Sequence, residues 1–400
     1  MHSKRVRASA GMIPKSWQPR AYRLRTLIAA GSECVNIRAP TASFKAVLAI
    51  VMMLLMGAGA IAAGTDKPRH GISPTVNSGR TPIAPMFLDY TNWHYPRYQY
   101  KIVPKDPQVL TRDGVHTIPL AAGALPLDML TLGFESRHQQ TRVFLVSFGG
   151  AVSNRAISGS MPPYFSGTAL AKSLNLPILS FSDPTLALDS ALALGWYAGN
   201  HLAPDLYSTI ADLIDQISRK ENLEPILVGG SGGGFAAMQV LTRLDAKAVA
   251  VVWNPQTSIG SYYIGPALKY MRIAFPDIVI SDDVTRDTIA FQRFVDANFD
   301  INTFRIPDAD RIRKDHQLVY LQNNSDVHHL TRHADPWVTR SRLMQAVKNI
   351  YENKTQNILY YRGNWGQGHV APAIAMQKGL IESWIKAGIP AVQAYLRDQQ

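Results

Sequence analysis

Cysteine is almost missing from this chain: one residue in 400, Cys34. No internal disulfide can form, and no cysteine-based metal site can be built. So little cysteine fits a cytoplasmic or an exported protein equally, so the compartment stays open. Internal repeats and low-complexity tracts are absent too. So is any stripe of Arg and Lys interleaved with aromatics, which argues against a nucleic-acid partner. Phosphate-cradling signatures are also lacking. The run Gly229-Gly230-Ser231-Gly232-Gly233-Gly234 does not end in Gly-Lys-Ser/Thr. Nor does it complete G-x-G-x-x-G, because Phe235 stands at the last glycine position.

The formal net charge of +12 suggests nucleic acid or a membrane surface until it is located. Residues 1–45 carry nine Lys/Arg and one acid, Glu33, which leaves 32 basic against 28 acidic residues beyond them, about +4. The positive charge is therefore mostly a leader. From Ala46 to Thr65 no residue is charged, and the apolar stretch Val47–Met56 has the length of a signal-peptide h-region. The whole uncharged run is also long enough to span a bilayer as an uncleaved anchor. Basic residues before it place the amino end in the cytoplasm and the body outside. The expectation is export, by a signal peptide or a membrane anchor at 46–65. A polar Pro/Gly/Ser linker follows at 66–85.

Residues 86–140 read as short strands and turns, a β-rich segment with Trp93, His94, Tyr95, Tyr98 and Tyr100 clustered in it. These aromatics are a glycan platform or, as is commoner in strands, packing. At residue 141 the pattern changes. VFLVSF (143–148) is a continuous apolar strand of the kind covered on both faces, and PILSFSD (177–183) is the next. Residues 205–224 place Leu206, Ile210, Leu213, Ile214 and Ile217 at helical spacing. PILV (225–228) and AVAVVW (248–253) are further buried strands, and residues 255–315 interrupt the alternation as a cap insertion. Then HQLVYLQ (316–322) reads as strand, 340–354 as helix, NILYYR (357–362) as strand and 372–388 as the closing helix. Alternating strand and helix over 141–400 predicts an α/β fold with a mostly parallel central sheet flanked by helices.

Within this pattern PILVGGSGGGFAAMQV (225–240) is a strand, a glycine-dense corner and a helix. A serine at such a corner holds its hydroxyl clear of the sheet, and the flanking positions, Gly229 and Gly233, must be small where strand and helix approach. A serine needs a base and a group to orient that base. His369 follows NILYYR in the glycine-rich loop GNWGQGHVAP, and Asp326 follows VYLQ. Asp335 and Asp282/Asp283 compete with Asp326 as the acid. His329 and His333 are spaced for one helix face but lack the Glu of a metalloprotease helix, so no metal is expected. Asn254, Gln256 and Thr257, just after a strand, are candidates for substrate contact.

The corner and the order Ser231, Asp326, His369 over about 140–390 resemble the α/β-hydrolase superfamily, of the serine esterase or acyltransferase type. The chain is similar to bacterial surface-polysaccharide-associated hydrolases and to accessory Sec acyltransferase-like proteins. The resemblance implies a Ser-His-Asp triad and an acyl-enzyme. It also implies an oxyanion hole from the Gly232 amide and one in SFGGA, either Gly150 or Ala151, with Phe148 where the related loop has histidine. It implies no cofactor. The expected substrate is an ester-containing small molecule or an acylated glycan. The expectation is therefore an exported serine hydrolase. The alternatives are an O-acyltransferase acting on a cell-surface glycan, or a glycan-binding protein that keeps the scaffold without the chemistry.

Overall fold

In the computed structural model an eleven-stranded sheet forms the spine. The described residues are 95–399 apart from Lys354 and Gln356. The basic leader, the 46–65 stretch, the 66–85 linker, Trp93 and His94 lie outside them. Among the described residues no helix is long and apolar enough to cross a membrane.

The strands are β1 (Arg97–Gln99), β2 (Gly114–Ile118), β3 (Leu127–Leu132), β4 (Val143–Phe148), β5 (Ile178–Ser182), β6 (Glu224–Gly230), β7 (Val249–Trp253), β8 (Gln317–Asn323), β9 (Met344–Val347), β10 (Ile350–Glu352) and β11 (Ile358–Gly363). Their order is β1-β2-β3-β5-β4-β6-β7-β8-β11-β10-β9. β5, β4, β6, β7, β8 and β11 run parallel, with antiparallel pairs at each side. The β-rich segment is thus no separate unit. β3 pairs with β5 from Asp128↔Ser182 to Leu132↔Ile178 and continues the same sheet.

The apolar runs are continuous because both faces are covered. Phe144, Val146 and Phe148 of β4 point into one core, and Val143 and Leu145 into the other. β7 divides likewise, Ala250 and Val252 against Val249 and Val251. Each fully buried Val, Leu or Phe among them contributes about 1.5–3 kcal/mol. The first core is closed by α2 (Leu206–Glu221) and α3 (Gly232–Leu241), the second by α1 (Thr168–Leu174) and α6 (Ile374–Asp398). All five expected apolar residues of α2 are buried, and Asp205 caps it by accepting from Ser208 N. α3 is buried at every position, which is why it is built of Gly, Ala and Met beside Phe235.

One expectation changes. Residues 341–353 are no helix: β9 and β10 form an antiparallel hairpin added to β11. Its turn is set by Asn349, at φ 62°, a left-handed conformation that asparagine tolerates. Leu343, Val347 and Ile350 mimic a helical stripe, but Ile350 is fully buried in β10, paired with Tyr361 of β11. The 255–315 insertion is helical, with α4 (Ile264–Ala274) and α5 (Thr288–Asn298), and its first residues reach the serine through Gln256. It leans to one side: Tyr270 Oη donates to Gly199 O, and Gln239 of α3 donates to Thr303 O and Arg305 O. Of the clustered aromatics that are described, Tyr98 and Tyr100 pack, while Tyr95 is exposed. Tyr98 stacks on the buried His116, and Tyr100 Oη lies 2.9 Å from His116 Nδ1.

Candidate active site

Strand order reverses around β4. The chain leaves β4 toward β5 on one side and returns through α2 to β6 on the other. A crevice opens outside the carboxyl ends of strands at such a point, and there the candidate groups gather. β6 ends at Gly230, and Ser231 stands between it and α3 with φ 55° and ψ −123°. A non-glycine residue in that region is strained by about 1–3 kcal/mol, and the packing around it must hold it there. The corner has no spare room. A methyl on Gly229 would stand 2.5 Å from the Gly233 carbonyl, and one on Gly233 2.3 Å from Phe148 O.

A cavity of about 340 Å³ is lined by Ser231, His369, Phe148, Gly150, Leu170 and Ile374, among others. No residue of 255–315 lines it. His369 Nδ1 donates to Asp326 Oδ2 at 2.5 Å. Asp335 lies apart and pairs with Arg362 at 3.7 Å, and Asp282 pairs with Arg272 at 3.6 Å. The histidine loop is clamped to the neighbouring strands. Asn323 Nδ2 donates to Gly366 O and Gly368 O, Ser325 Oγ donates to Gly366 O, and Asn254 Nδ2 donates to Val370 O.

Ser231 Oγ accepts a hydrogen bond from Gln256 Nε2 at 3.0 Å, and no imidazole is its partner among the described residues. Of the three residues expected to touch substrate, then, Gln256 touches the serine. Asn254, though it lines the cavity, is engaged with Val370 O and with Asn323 N. Thr257 is spent on His333, donating from N to Nδ1 and from Oγ1 to the carbonyl.

In the oxyanion loop the Gly149 amide is already given to Tyr197 Oη at 2.9 Å. Gly150 lines the serine's cavity and Ala151 does not. A methyl on Gly150 would stand 3.9 Å from Ser231 Cβ, so this glycine lies against the nucleophile. Gly232 is the first residue of α3, where amides have no partner within the helix and the dipole favours negative charge.

His329, weighed in the sequence only as a metal ligand, proves to be a second partner of Asp326. His329 Nδ1 donates to Asp326 Oδ1 at 3.1 Å, and its ring stacks on His369 with centroids 4.0 Å apart. Asp-x-x-His, one helical turn, was the available signal. Burial opposes ionisation of Asp326, but the hydrogen bonds from His329 and His369 outweigh it and hold the carboxyl well below its usual range. Burial lowers His329, lowers His328 to about 4, and drives His333 well below the ordinary value. Asp326, His329 and His369 also bring ligand atoms within 4.8 Å of one another. Both Nδ1 atoms are turned to the carboxylate as donors, so a cation there would have to displace those protons.

The chain has the α/β-hydrolase fold, on the evidence of its parallel sheet with helices on both faces and the strained serine corner at the switch point. No protein-family model matches it, and no curated protein does. Among solved structures it is similar to the capsule O-acetyltransferase of Neisseria meningitidis serogroup A, at 16% identity over 67% of this chain and 98% of the other, TM-score 0.44. It is similar to an alpha/beta hydrolase from Sphaerobacter thermophilus at 13%, over 67% and 99%, TM-score 0.35. A Pyrococcus furiosus esterase is similar at 10%, over 75% and 97%, TM-score 0.38.

Proposed function

We propose that this protein is an exported serine enzyme that cleaves ester bonds through an acyl-enzyme on Ser231. One observation carries the reading: a strained serine and an imidazole oriented by a buried carboxylate line the same cavity. With Nδ1–H given to Asp326, His369 keeps its lone pair on Nε2 and is the base. Ser231 Oγ attacks the ester carbonyl and yields its proton to His369. The carbonyl oxygen is received by the amides of Gly232 and Gly150, and His369 returns the proton to the departing alcohol. Phe148, Leu170, Val228 and Ile374 give the cavity apolar walls suited to a short acyl chain. The substrate class is an ester-containing small molecule or an acylated glycan.

Water or an acceptor hydroxyl then releases the acyl group. His369, with its side chain 40% exposed, supports water as the entering group, hence hydrolysis over O-acyl transfer. Export rests on the basic leader and the uncharged 46–65 run. It is tested by whether protease added to intact cells digests the tagged full chain.

The test of the chemistry is reaction of the full-length protein with a fluorophosphonate probe, read by intact mass. One adduct mapping to Ser231, and none on Ser231→Ala, is expected. A folded, unlabelled wild type would sink the enzyme reading in favour of a glycan-binding scaffold.

A further inference from the structure

Gln256 has a fixed orientation, and that can be derived from its neighbours. The Trp196 indole N–H can only donate, and it donates to Gln256 Oε1. The Gln256 NH2 group must therefore be the end that meets Ser231 Oγ at 3.0 Å and His329 Nε2 at 3.3 Å. An amide NH2 can only donate, so His329 Nε2 accepts and its Nδ1 carries the proton given to Asp326. Every group in the chain Trp196, Gln256, His329, Asp326, His369 thus has one assigned role.

The fold meets a cost to keep it so. Trp196 and Tyr197 both take positive φ, 56° and 58°, which is rare for bulky residues. Asp183 Oδ2 holds that turn by accepting from Tyr197 N at 2.7 Å, and Tyr207 Oη donates to Trp196 O. The indole is fully buried between Tyr262 and Tyr270. From the other side, Gln256 N donates to Ser231 O at 3.3 Å.

We propose that Gln256 is a further catalytic residue, whose amide stabilises Ser231 Oγ as it leaves when the acyl-enzyme breaks down. His329 is a positioning residue that holds this amide from Asp326. The inference rests on the serine mechanism above and adds a donor on the nucleophile's own oxygen. In deacylation a water adds to the ester carbonyl and gives its proton to His369 Nε2. The tetrahedral oxyanion re-forms the carbonyl, the C–Oγ bond breaks, and Oγ takes the proton from His369. Charge develops on Oγ as it departs, and the Gln256 N–H is already bonded to it. During acylation the same bond draws density from the attacking oxygen, so its benefit falls on breakdown.

The test uses the full-length chain with two probes. A fluorophosphonate reports attack by Oγ alone, and 4-nitrophenyl acetate reports attack and breakdown together. Gln256→Met keeps the bulk and removes the donor. Gln256→Glu also removes the donor at Oγ but keeps an oxygen for Trp196, and it serves if the first variant does not fold. The expected result is phosphonylation within about threefold of wild type, with acetyl-enzyme turnover slower by roughly ten- to hundredfold. A burst of nitrophenolate equal to the enzyme present would accompany it. Parallel losses in both reactions would overturn the proposal, since they mean a displaced serine, and so would no loss in either. A wild type that reacts with neither probe would remove the serine mechanism itself.

Discussion

Asp326 divides its two carboxylate oxygens between two stacked imidazoles, Oδ2 to His369 at 2.5 Å and Oδ1 to His329 at 3.1 Å. One carboxylate thereby sets the tautomer of the base and of the ring that steadies Gln256. Asp326→Asn must present N–H to at least one of those rings, as in any triad whose acid becomes an amide. Ester turnover should fall on the order of 10³–10⁴-fold. Asp335→Asn, which loses only a partly exposed pair with Arg362, should stay within about twofold, as an exposed ion pair contributes little. Initial rates with 4-nitrophenyl acetate decide between the two acids, and a reversed ranking would reassign the orienting residue.

The buried histidines make stability fall with acid. Burial lowers His116 to about 4 and His333 well below 6.5, so the folded chain prefers them neutral while the unfolded chain takes up protons. Stability is therefore complete above about pH 6.5. It declines as pH drops below that value, by up to about 1.4 kcal/mol per pH unit for each proton taken up only by the unfolded chain. Asp326, depressed in the fold, adds a loss below its ordinary 3.8, in the same direction. Urea unfolding midpoints between pH 7.5 and 4.5 measure the slope. A midpoint that does not move over that range would contradict the burial of these rings.

Legibility followed the range of the interactions. VFLVSF, AVAVVW and LVYLQ were readable as strands because a strand covered on both faces is apolar at nearly every position. The corner was readable because Gly229 and Gly233 have no substitute where carbonyls approach a virtual methyl to within 2.5 Å. What was hidden depends on tertiary partners. Trp196 reaches Gln256 across sixty residues, and nothing near either residue announces it. The hairpin of β9 and β10 was hidden because apolar spacing alone does not separate an edge hairpin from a helix. Only the left-handed Asn349 and the pairing with β11 do so.

The corner glycines should resist the smallest change. Gly229→Ala and Gly233→Ala drive a methyl onto backbone atoms of α3 and of the Phe148–Gly149 loop, which cannot swing aside as a side chain can. Each should destabilise by about 2 kcal/mol or more, within the range for overpacked cores. Gly265→Ala, in α4 with open space around it, should instead stabilise by about 0.5–1 kcal/mol. Thermal unfolding of the three variants checks the contrast, and equal effects would mean that close approach is not what the corner glycines serve.

Asn323 offers a subtler break. Its Nδ2 holds the carbonyls of Gly366 and Gly368, both at 2.9 Å, and so fixes the loop that carries His369. Asn323→Ala removes two part-buried hydrogen bonds to those carbonyls, worth about 1 kcal/mol each, and the loop that positions the base is loosened. Turnover should fall roughly tenfold to a hundredfold, because small misplacements of a catalytic group are expensive. Ser325→Ala, which removes contacts of its Oγ with Gly366 O and Gly368 N while Asn323 still holds both carbonyls, should cost less. The two variants and their double combination, compared by kcat and by unfolding midpoint, separate loop positioning from overall stability. Loss of midpoint without loss of kcat would assign Asn323 to the fold and not to the placement of His369.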